Sequence, residues 1–229
     1  MNKNISKYIE HTILSPEKTL NDIEKACKEA IDNNFAAVVL RGCYVKYAKD
    51  YLKGTNVNIC SAVGATTGMN ISKVKVYEAI ELINNGANEL DVYLNTSYIK
   101  SGLWDEAYKD IKDVVDAVKA INKEIIVKVI VECGLLYESD KEKVFKLVQK
   151  TGADYIKTTS GFVPGVATVA DVKMIKSIVP NMKIKAASHV YDYRTAIELI
   201  EAGADRIGTT SAMKIIEQEK IWEEGSKDG

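Results

Sequence analysis

Lys157, Lys185 and Asp91 are the residues with which this sequence could do chemistry. Lys157 follows Tyr155-Ile156 and precedes the polar run Thr158-Thr159-Ser160-Gly161, and Lys185 sits between Ile184 and Ala186-Ala187-Ser188. Most lysines are solvated surface groups, but an ammonium at the end of a buried strand carries a desolvation cost that calls for a reason. One reason is covalent catalysis. A lysine that forms a Schiff base must present a neutral amine, yet an unperturbed lysine titrates at about 10.4. Bringing it near neutrality takes about 4 kcal/mol of selective destabilisation of the ammonium. Partial burial and a neighbouring cation both act in that direction. Lys185 is the candidate neighbour, with Lys128 in reserve. Asp91 offers a carboxylate able to move protons, although an ion pair to a core lysine accounts for it equally well.

A fourth feature is Gly208-Thr209-Thr210-Ser211, which leads from a strand into a helix. A helix N-terminus after a late strand commonly holds phosphate in barrels. The same four residues would also serve as a plain helix cap.

The elements that must position these residues alternate along the chain. Strand-like runs fall near 9–13, 36–40, 58–63, 88–94, 125–131, 154–158, 183–187 and 205–208. Amphipathic helices lie between most of them. One is capped by Ser72 and places Val76, Ala79, Ile80 and Ile83 on one face; another starts near Asp140 with Val144, Leu147 and Val148; a third carries Ala196, Leu199 and Ile200. Eight such units predict an α/β fold, a (β/α)8 TIM barrel over residues 1–229 as one domain, although an open doubly wound sheet shows similar alternation.

A repeat favours the barrel. Gly86-Ala87-Asn88, Gly152-Ala153-Asp154 and Gly203-Ala204-Asp205 share one helix-to-strand pattern in which glycine suits a left-handed helix end, and Asn34 can do the same before Phe35. Five residues beyond each cap stand Val39, Asp91, Lys157 and Gly208, on strands two, four, six and eight. In a TIM barrel one interior layer is built from alternate strands, so Asp91 and Lys157 should meet near the C-terminal mouth. Two residues lower, Ala37, Glu89, Tyr155 and Arg206 form the next layer, with Glu89 and Arg206 buried and paired.

Composition excludes several functions. A chain of 229 residues buries roughly 70% of its unfolded surface and needs no staple. A net charge of −1 gives no electrostatic case for nucleic acid or a membrane surface. Cys27, Cys43, Cys60 and Cys133 are scattered, and the histidines are only His11 and His189, which argues against a metal and suits a reducing compartment. Met1–Ser6 has no apolar leader core, and Lys128 interrupts the longest apolar run, so a cytoplasmic protein is expected. Only Gly225-Ser226-Lys227-Asp228-Gly229 reads as a polar end.

The run Tyr155-Ile156-Lys157-Thr158-Thr159-Ser160-Gly161-Phe162 resembles the lysine signature of the deoxyribose-phosphate aldolase family, usually Phe-Val-Lys-Thr-Ser-Thr-Gly-Phe. Ala167-Thr168-Val169, Ala204-Asp205-Arg206-Ile207-Gly208-Thr209, Glu89-Leu90-Asp91-Val92 and Lys128-Val129-Ile130 with Glu132 extend the likeness from about Ile9 to Ser211. The resemblance implies a class I aldolase that reversibly cleaves 2-deoxyribose 5-phosphate to acetaldehyde and glyceraldehyde 3-phosphate. Lys157 would form the Schiff base, Lys185 would lower its pKa, and Asp91 would relay protons with water. It further implies substrate contacts at Thr159, Gly161, Ser188, His189, Gly208, Thr210 and Ser211, no cofactor or metal, and a small phosphorylated sugar or aldehyde as partner. A homodimer is compatible with such a chain.

Departures from the family pattern are equally informative. Its usual Asp-His-Thr is Glu10-His11-Thr12 here, a strand-two cysteine is Val39, Asn-Pro has become Arg41-Gly42, and Gly-Phe-Pro reads Gly64-Ala65-Thr66. Most consequential, Lys-Ala-Ser-Gly-Gly is replaced by Lys185-Ala186-Ala187-Ser188-His189. Members of the family use those two glycines to bring backbone N–H groups to phosphate. The chemical residues match while the phosphate loop differs, so an aldolase with a different or non-phosphorylated acceptor is the alternative. A binding protein without activity would not be expected to retain all three charged residues.

Overall fold

A computed structural model describes residues 4–225. Eight parallel strands close into a barrel in chain order: β1 (Ile9–Ile13), β2 (Ala37–Leu40), β3 (Asn58–Val63), β4 (Glu89–Tyr93), β5 (Ile126–Ile130), β6 (Tyr155–Lys157), β7 (Lys183–Ala187) and β8 (Arg206–Thr209). The helices are α1 (Leu20–Asp32), α2 (Val45–Tyr51), α3 (Ser72–Asn85), α4 (Thr96–Lys100), α5 (Trp104–Ile121), α6 (Glu138–Thr151), α7 (Val169–Ile178), α8 (Tyr193–Glu201) and α9 (Ala212–Gly225). No helix among the described residues is long and apolar enough to cross a membrane. Residues 1–3 and 226–229, including most of the polar end, lie outside the described residues.

All eight strands fall where alternation places them, with ends shifted by a residue or two. The four capping residues explain the regularity: Gly86 (φ 117°), Gly152 (φ 82°), Gly203 (φ 117°) and Asn34 (φ 54°) all take the left-handed conformation. Each reverses the chain sharply enough to feed a strand directly beneath its helix. Helix starts are less legible. Ser72 is the first residue of α3 rather than its cap, which is Ile71, and α6 begins at Glu138, two residues before Asp140. The buried face of α3 is also rotated from the expected one. Lys75, Ala79 and Leu82 are innermost, while Val76 and Ile83 are only partly buried. The cause is an ion pair: the Lys75 ammonium donates to Asp110 Oδ2 of α5 at 2.6 Å and to the Tyr93 carbonyl at 2.9 Å. A fully desolvated lysine must find such acceptors, and that requirement overrides the apolar stripe.

Side chains alternate across the barrel wall as a pleated strand requires. Leu90 and Val92 of β4, Val127 and Val129 of β5 and Ile184 and Ala186 of β7 join the apolar shell beneath the helices. Their neighbours point inward, and there most of them are charged.

The strand register accounts for the interior layers. Asp91 pairs laterally with Lys128, and Lys128 with Tyr155. Strands in such a barrel tilt by about 36°, so the residue of β6 level with Asp91 is two positions past Tyr155, namely Lys157. The same slip carries Lys157 through Lys185 to Arg206 and so raises Gly208 to that level. Val39 completes the layer, in an apolar interior patch with Ala37 and Cys60.

One layer down, Glu89 and Tyr155 are buried, and an Arg206 Nη lies 3.8 Å from Glu89 Oε1 with its guanidinium over the Tyr155 ring. The expected link therefore exists, but Arg206 is not buried: its side chain is 20% exposed at the barrel floor, and it also approaches Glu10 at 3.7 Å. The tightest partner of Glu89 is instead the wholly buried ammonium of Lys128, and Asn58 Nδ2 donates to its other oxygen at 2.6 Å. Glu89→Ala should lower unfolding free energy by about 3–5 kcal/mol in urea denaturation, because it deprives a buried ammonium of its nearest counter-charge. Glu89→Gln should cost less, since it keeps an acceptor for Asn58.

Candidate active site

The inward residues near the mouth form one charged cluster. Asp91 Oδ2 accepts from Lys157 Nζ at 2.8 Å and from Lys185 Nζ at 2.6 Å, and Asp91 Oδ1 lies 3.4 Å from Lys128 Nζ. Glu10 Oε2 accepts from Lys185 and, at 3.1 Å, from Lys128. With Arg206 below, four basic side chains share three carboxylates, Glu10, Glu89 and Asp91. If all were ionised the interior would hold an unbalanced positive charge, which a low-dielectric site resists. One base should give up its proton most readily.

The surroundings select Lys157. Burial disfavours its ammonium and the Lys185 cation adds to that, so its pKa is lowered despite Asp91 beside it. Burial penalises Lys185 as well, but there Asp91 and Glu10 outweigh it and hold the ammonium above the ordinary lysine range. Lys128 is raised in the same way, by Cys60, Glu10, Glu89 and Asp91 acting against desolvation. Burial would raise the Asp91 carboxyl, yet Lys157, Lys185 and Lys128 together hold it well below the carboxylate range. The result is a lysine poised to be neutral between an anion and a firmly protonated cation.

Access makes the same selection. A cavity of about 290 Å³ opens at the mouth over β6, β7 and β8; Lys157 lines it, and Lys185 and Lys128 do not. Of the other residues expected to touch a substrate, Gly161, Ser188, His189, Gly208 and Thr210 line this cavity. Thr159 and Ser211 do not. Thr159 is fully buried and its Oγ1 accepts from Gly161 N–H at 3.3 Å, while the Ser211 N–H is taken by Thr209 Oγ1 at 2.9 Å. Gly208 has a steric reason as well: a Cβ there would stand 3.0 Å from Lys185 Cε and 2.9 Å from Ala187 Cβ. A side chain at 208 would crowd both Ala187 and the end of the Lys185 stem.

Ser188 and His189 both adopt positive φ, 83° and 59°, a conformation in which each Cβ costs about 1–2 kcal/mol. The serine hydroxyl donates to the Gly165 carbonyl at 3.1 Å and lies 2.8 Å from His189 Nδ1. A hydroxyl has one proton, so with Gly165 as its acceptor the oxygen is left to accept from His189 Nδ1. The exposed imidazole stands edge-on to Tyr191.

A second cavity, about 440 Å³, lies over β2, β3 and β4 between Arg41, Ala62, Thr66 and Tyr93. The two share Leu14, Pro16 and Phe162 as walls. Sequence reasoning missed Ser160, Tyr93 and the bridging role of Glu10; a charged residue at an inward strand position was the available signal for Glu10. His11 points the other way, buried against α1 with its Nε2 3.0 Å from Glu29. Glu10, Cys60 and Glu89 converge like metal ligands, but the Lys128 ammonium stands among them, 3.1 Å from Glu10 and 3.4 Å from Cys60 Sγ.

Known proteins resemble this chain over most of its length. The model of the DeoC/LacD family aldolases matches residues 5–187. A deoxyribose-phosphate aldolase of Caldanaerobacter subterraneus subsp. tengcongensis is 43% identical over 95% of this chain and 94% of its own. One from a Thermoanaerobacter species is 44% identical over 94% and 96%. The tetrameric deoxyribose phosphate aldolase of Aeropyrum pernix superposes with a TM-score of 0.88 at 28% identity, covering 96% of this chain and 93% of that one.

The electrostatic arrangement has a measurable consequence. Lys185→Met removes a cation from beside Lys157 and leaves Asp91 more available to it, so the Lys157 ammonium becomes easier to keep. The pH at which Lys157 becomes reactive, followed by reductive methylation with mass mapping, should move upward in this variant.

Proposed function

The chain belongs to the DeoC/LacD family of aldolases, and on that premise we propose that it reversibly cleaves 2-deoxyribose 5-phosphate to acetaldehyde and glyceraldehyde 3-phosphate through a Schiff base on Lys157. The observation that carries this reading is that, of the three interior lysines, the one with a lowered pKa is also the one that lines the mouth cavity.

In this mechanism the neutral Lys157 amine adds to C1 of the open-chain sugar, and loss of water gives an iminium. The iminium replaces the ammonium charge beside Asp91, so the anion that held Lys157 now stabilises the intermediate. Removal of the C3 hydroxyl proton breaks the C2–C3 bond, releases glyceraldehyde 3-phosphate and leaves an enamine. Protonation at C2 and addition of water then free acetaldehyde. Asp91 and the protonated Lys185 exchange these protons through water, with Lys185 returning what Asp91 accepts. At the far end of the substrate, Gly208, Thr210 and the 188–189 turn face the phosphate, ahead of the N-terminus of α9. No step calls for a metal. An exposed apolar strip of Met69, Ile71, Val74 and Tyr77 supports self-association as a homodimer.

Treatment with acetaldehyde and borohydride should leave a two-carbon adduct on Lys157, and Lys157→Ala should abolish turnover; EDTA should change nothing. An adduct mapping chiefly to Lys185 or Lys128 overturns the assignment.

The strained Ser188-His189 turn favours one competing reading, the same chemistry on non-phosphorylated aldehydes. Comparing kcat/KM for 2-deoxyribose and its 5-phosphate decides between them. The phosphorylated sugar should be preferred, and His189→Gly should widen that preference by letting the backbone approach more closely. Equal efficiency on both sugars would give the competing reading first place.

A further inference from the structure

Glu132 is a buried carboxylate that the steps above do not use, and its backbone is unusual. It sits just past β5 at φ 54°, ψ 61°, the left-handed region that residues bearing a Cβ enter at a cost. Its side chain is buried, with the residue 2% exposed. Neither glycine nor asparagine, the residues that adopt this conformation readily, stands there.

What the strained residue achieves is visible in its bonds. The Val131 N–H donates to the Lys157 carbonyl at 3.0 Å, and the Cys133 N–H donates to the Thr158 carbonyl at 2.8 Å. Between them the Glu132 side chain reaches across, and its Oε2 accepts the Ser160 N–H at 3.1 Å. Residues 131–133 thus hold the carbonyls of 157 and 158 and the amide of 160. Left-handed geometry at 132 is what allows its two neighbours to donate to consecutive carbonyls while its side chain turns to the loop. The other carboxylate oxygen, Oε1, is buried with no hydrogen-bond partner, and burial raises the pKa of the group. A carboxyl kept under those conditions is costly in itself.

The clamped loop matters because Ser160 lines the same cavity as Lys157, and its side chain also interacts with the Tyr93 phenol. Tyr93 lines the second cavity over β2 to β4. Orientation of this loop therefore sets where the wall between the two cavities stands relative to the reactive amine.

We propose that Glu132 is a positioning residue of the aldolase reaction: by fixing the Ser160 amide it holds the loop after Lys157 in the orientation that C–C cleavage requires. This rests on the Schiff-base reading but makes a separate demand. Imine formation with acetaldehyde needs Lys157 and its Asp91–Lys185 neighbours but not the loop, whereas cleavage of the full sugar needs the loop.

Two substitutions oppose charge to reach. Glu132→Asp keeps the charge, but its carboxylate is one methylene too short for the Ser160 N–H. Glu132→Gln loses the charge and keeps an acceptor at the right distance. The expected result is that Glu132→Asp lowers kcat on 2-deoxyribose 5-phosphate about 10- to 100-fold. Borohydride trapping of acetaldehyde at Lys157 and the melting temperature should change little, and Glu132→Gln should retain kcat within about threefold. Glu132→Gly, which relieves the backbone, should melt near the wild type and still lose kcat. The proposal is overturned if Glu132→Asp turns over normally, if Glu132→Gln is as impaired as Glu132→Asp, or if kcat falls only in step with the folded fraction. Absence of an adduct in the wild type would instead refute the Schiff-base reading itself.

Discussion

Four basic side chains divide three carboxylates inside this barrel, and the structure is organised around that shortage. Asp91 is the centre of it. Its Oδ2 is shared by Lys157 and Lys185, and the Lys185 cation weakens the hold of Lys157 on its proton. Symmetry between them is broken by Glu10, which reaches Lys185 and Lys128 but has no contact with Lys157. Two of the three interior lysines are thereby pinned as cations, and the third is left with a shared counter-charge and an open side toward the mouth. Desolvation alone would lower all three; unequal access to carboxylates decides which one yields.

Such a cluster demands that its backbone supports be placed to within fractions of an ångström. The barrel provides this through repetition. Left-handed caps at Asn34, Gly86, Gly152 and Gly203 start four strands at equivalent heights, and the strand tilt converts equal spacing into a level ring. Gly208 leaves the space through which the Lys185 stem passes, so an absence of side chain on β8 is part of the electrostatics on β4 and β6. Glu10 illustrates the same coupling. A carboxylate on β1 reaches ammonium groups on β5 and β7 across the barrel interior.

Much of this was legible in the sequence, and the reasons are specific. Strand positions follow from apolar runs bounded by caps, and a barrel layer follows from counting, because strand alternation and helix caps leave no freedom between them. Lys157 and Asp91 were brought together by that counting alone. What escaped is what depends on distances across the barrel or on loop conformation. Arg206 was placed at the correct height, but nothing in a one-dimensional pattern indicates that the barrel floor is open to solvent there. Thr159 and Ser211 belong to loops where a neighbour's hydroxyl or amide claims them first. Lys75 broke an amphipathic stripe because its partner Asp110 lies 35 positions away, beyond any local periodicity. Glu132 was visible only as part of a motif, since backbone strain leaves no mark on composition.

The division between interior and rim separates the charged cluster from the turn at 188–189. Interior charges are mutually dependent: removing a carboxylate leaves buried ammonium groups short of counter-charge, at several kcal/mol. Residues at 188 and 189 bear no such constraint. Their positive φ angles are set by the turn that joins β7 to α8, and side chains with a Cβ are tolerated there at a cost of about 1–2 kcal/mol each. That cost falls on global stability, not on the Asp91 cluster, because Ser188 and His189 bond to Gly165 and to each other and not to the lysines. A fold of this kind can therefore exchange the residues of the 188–189 turn while Lys157, Asp91 and Lys185 stay in register. The lysine cluster and the turn at 188–189 are held by different parts of the same barrel, and only the first depends on charges buried in its interior.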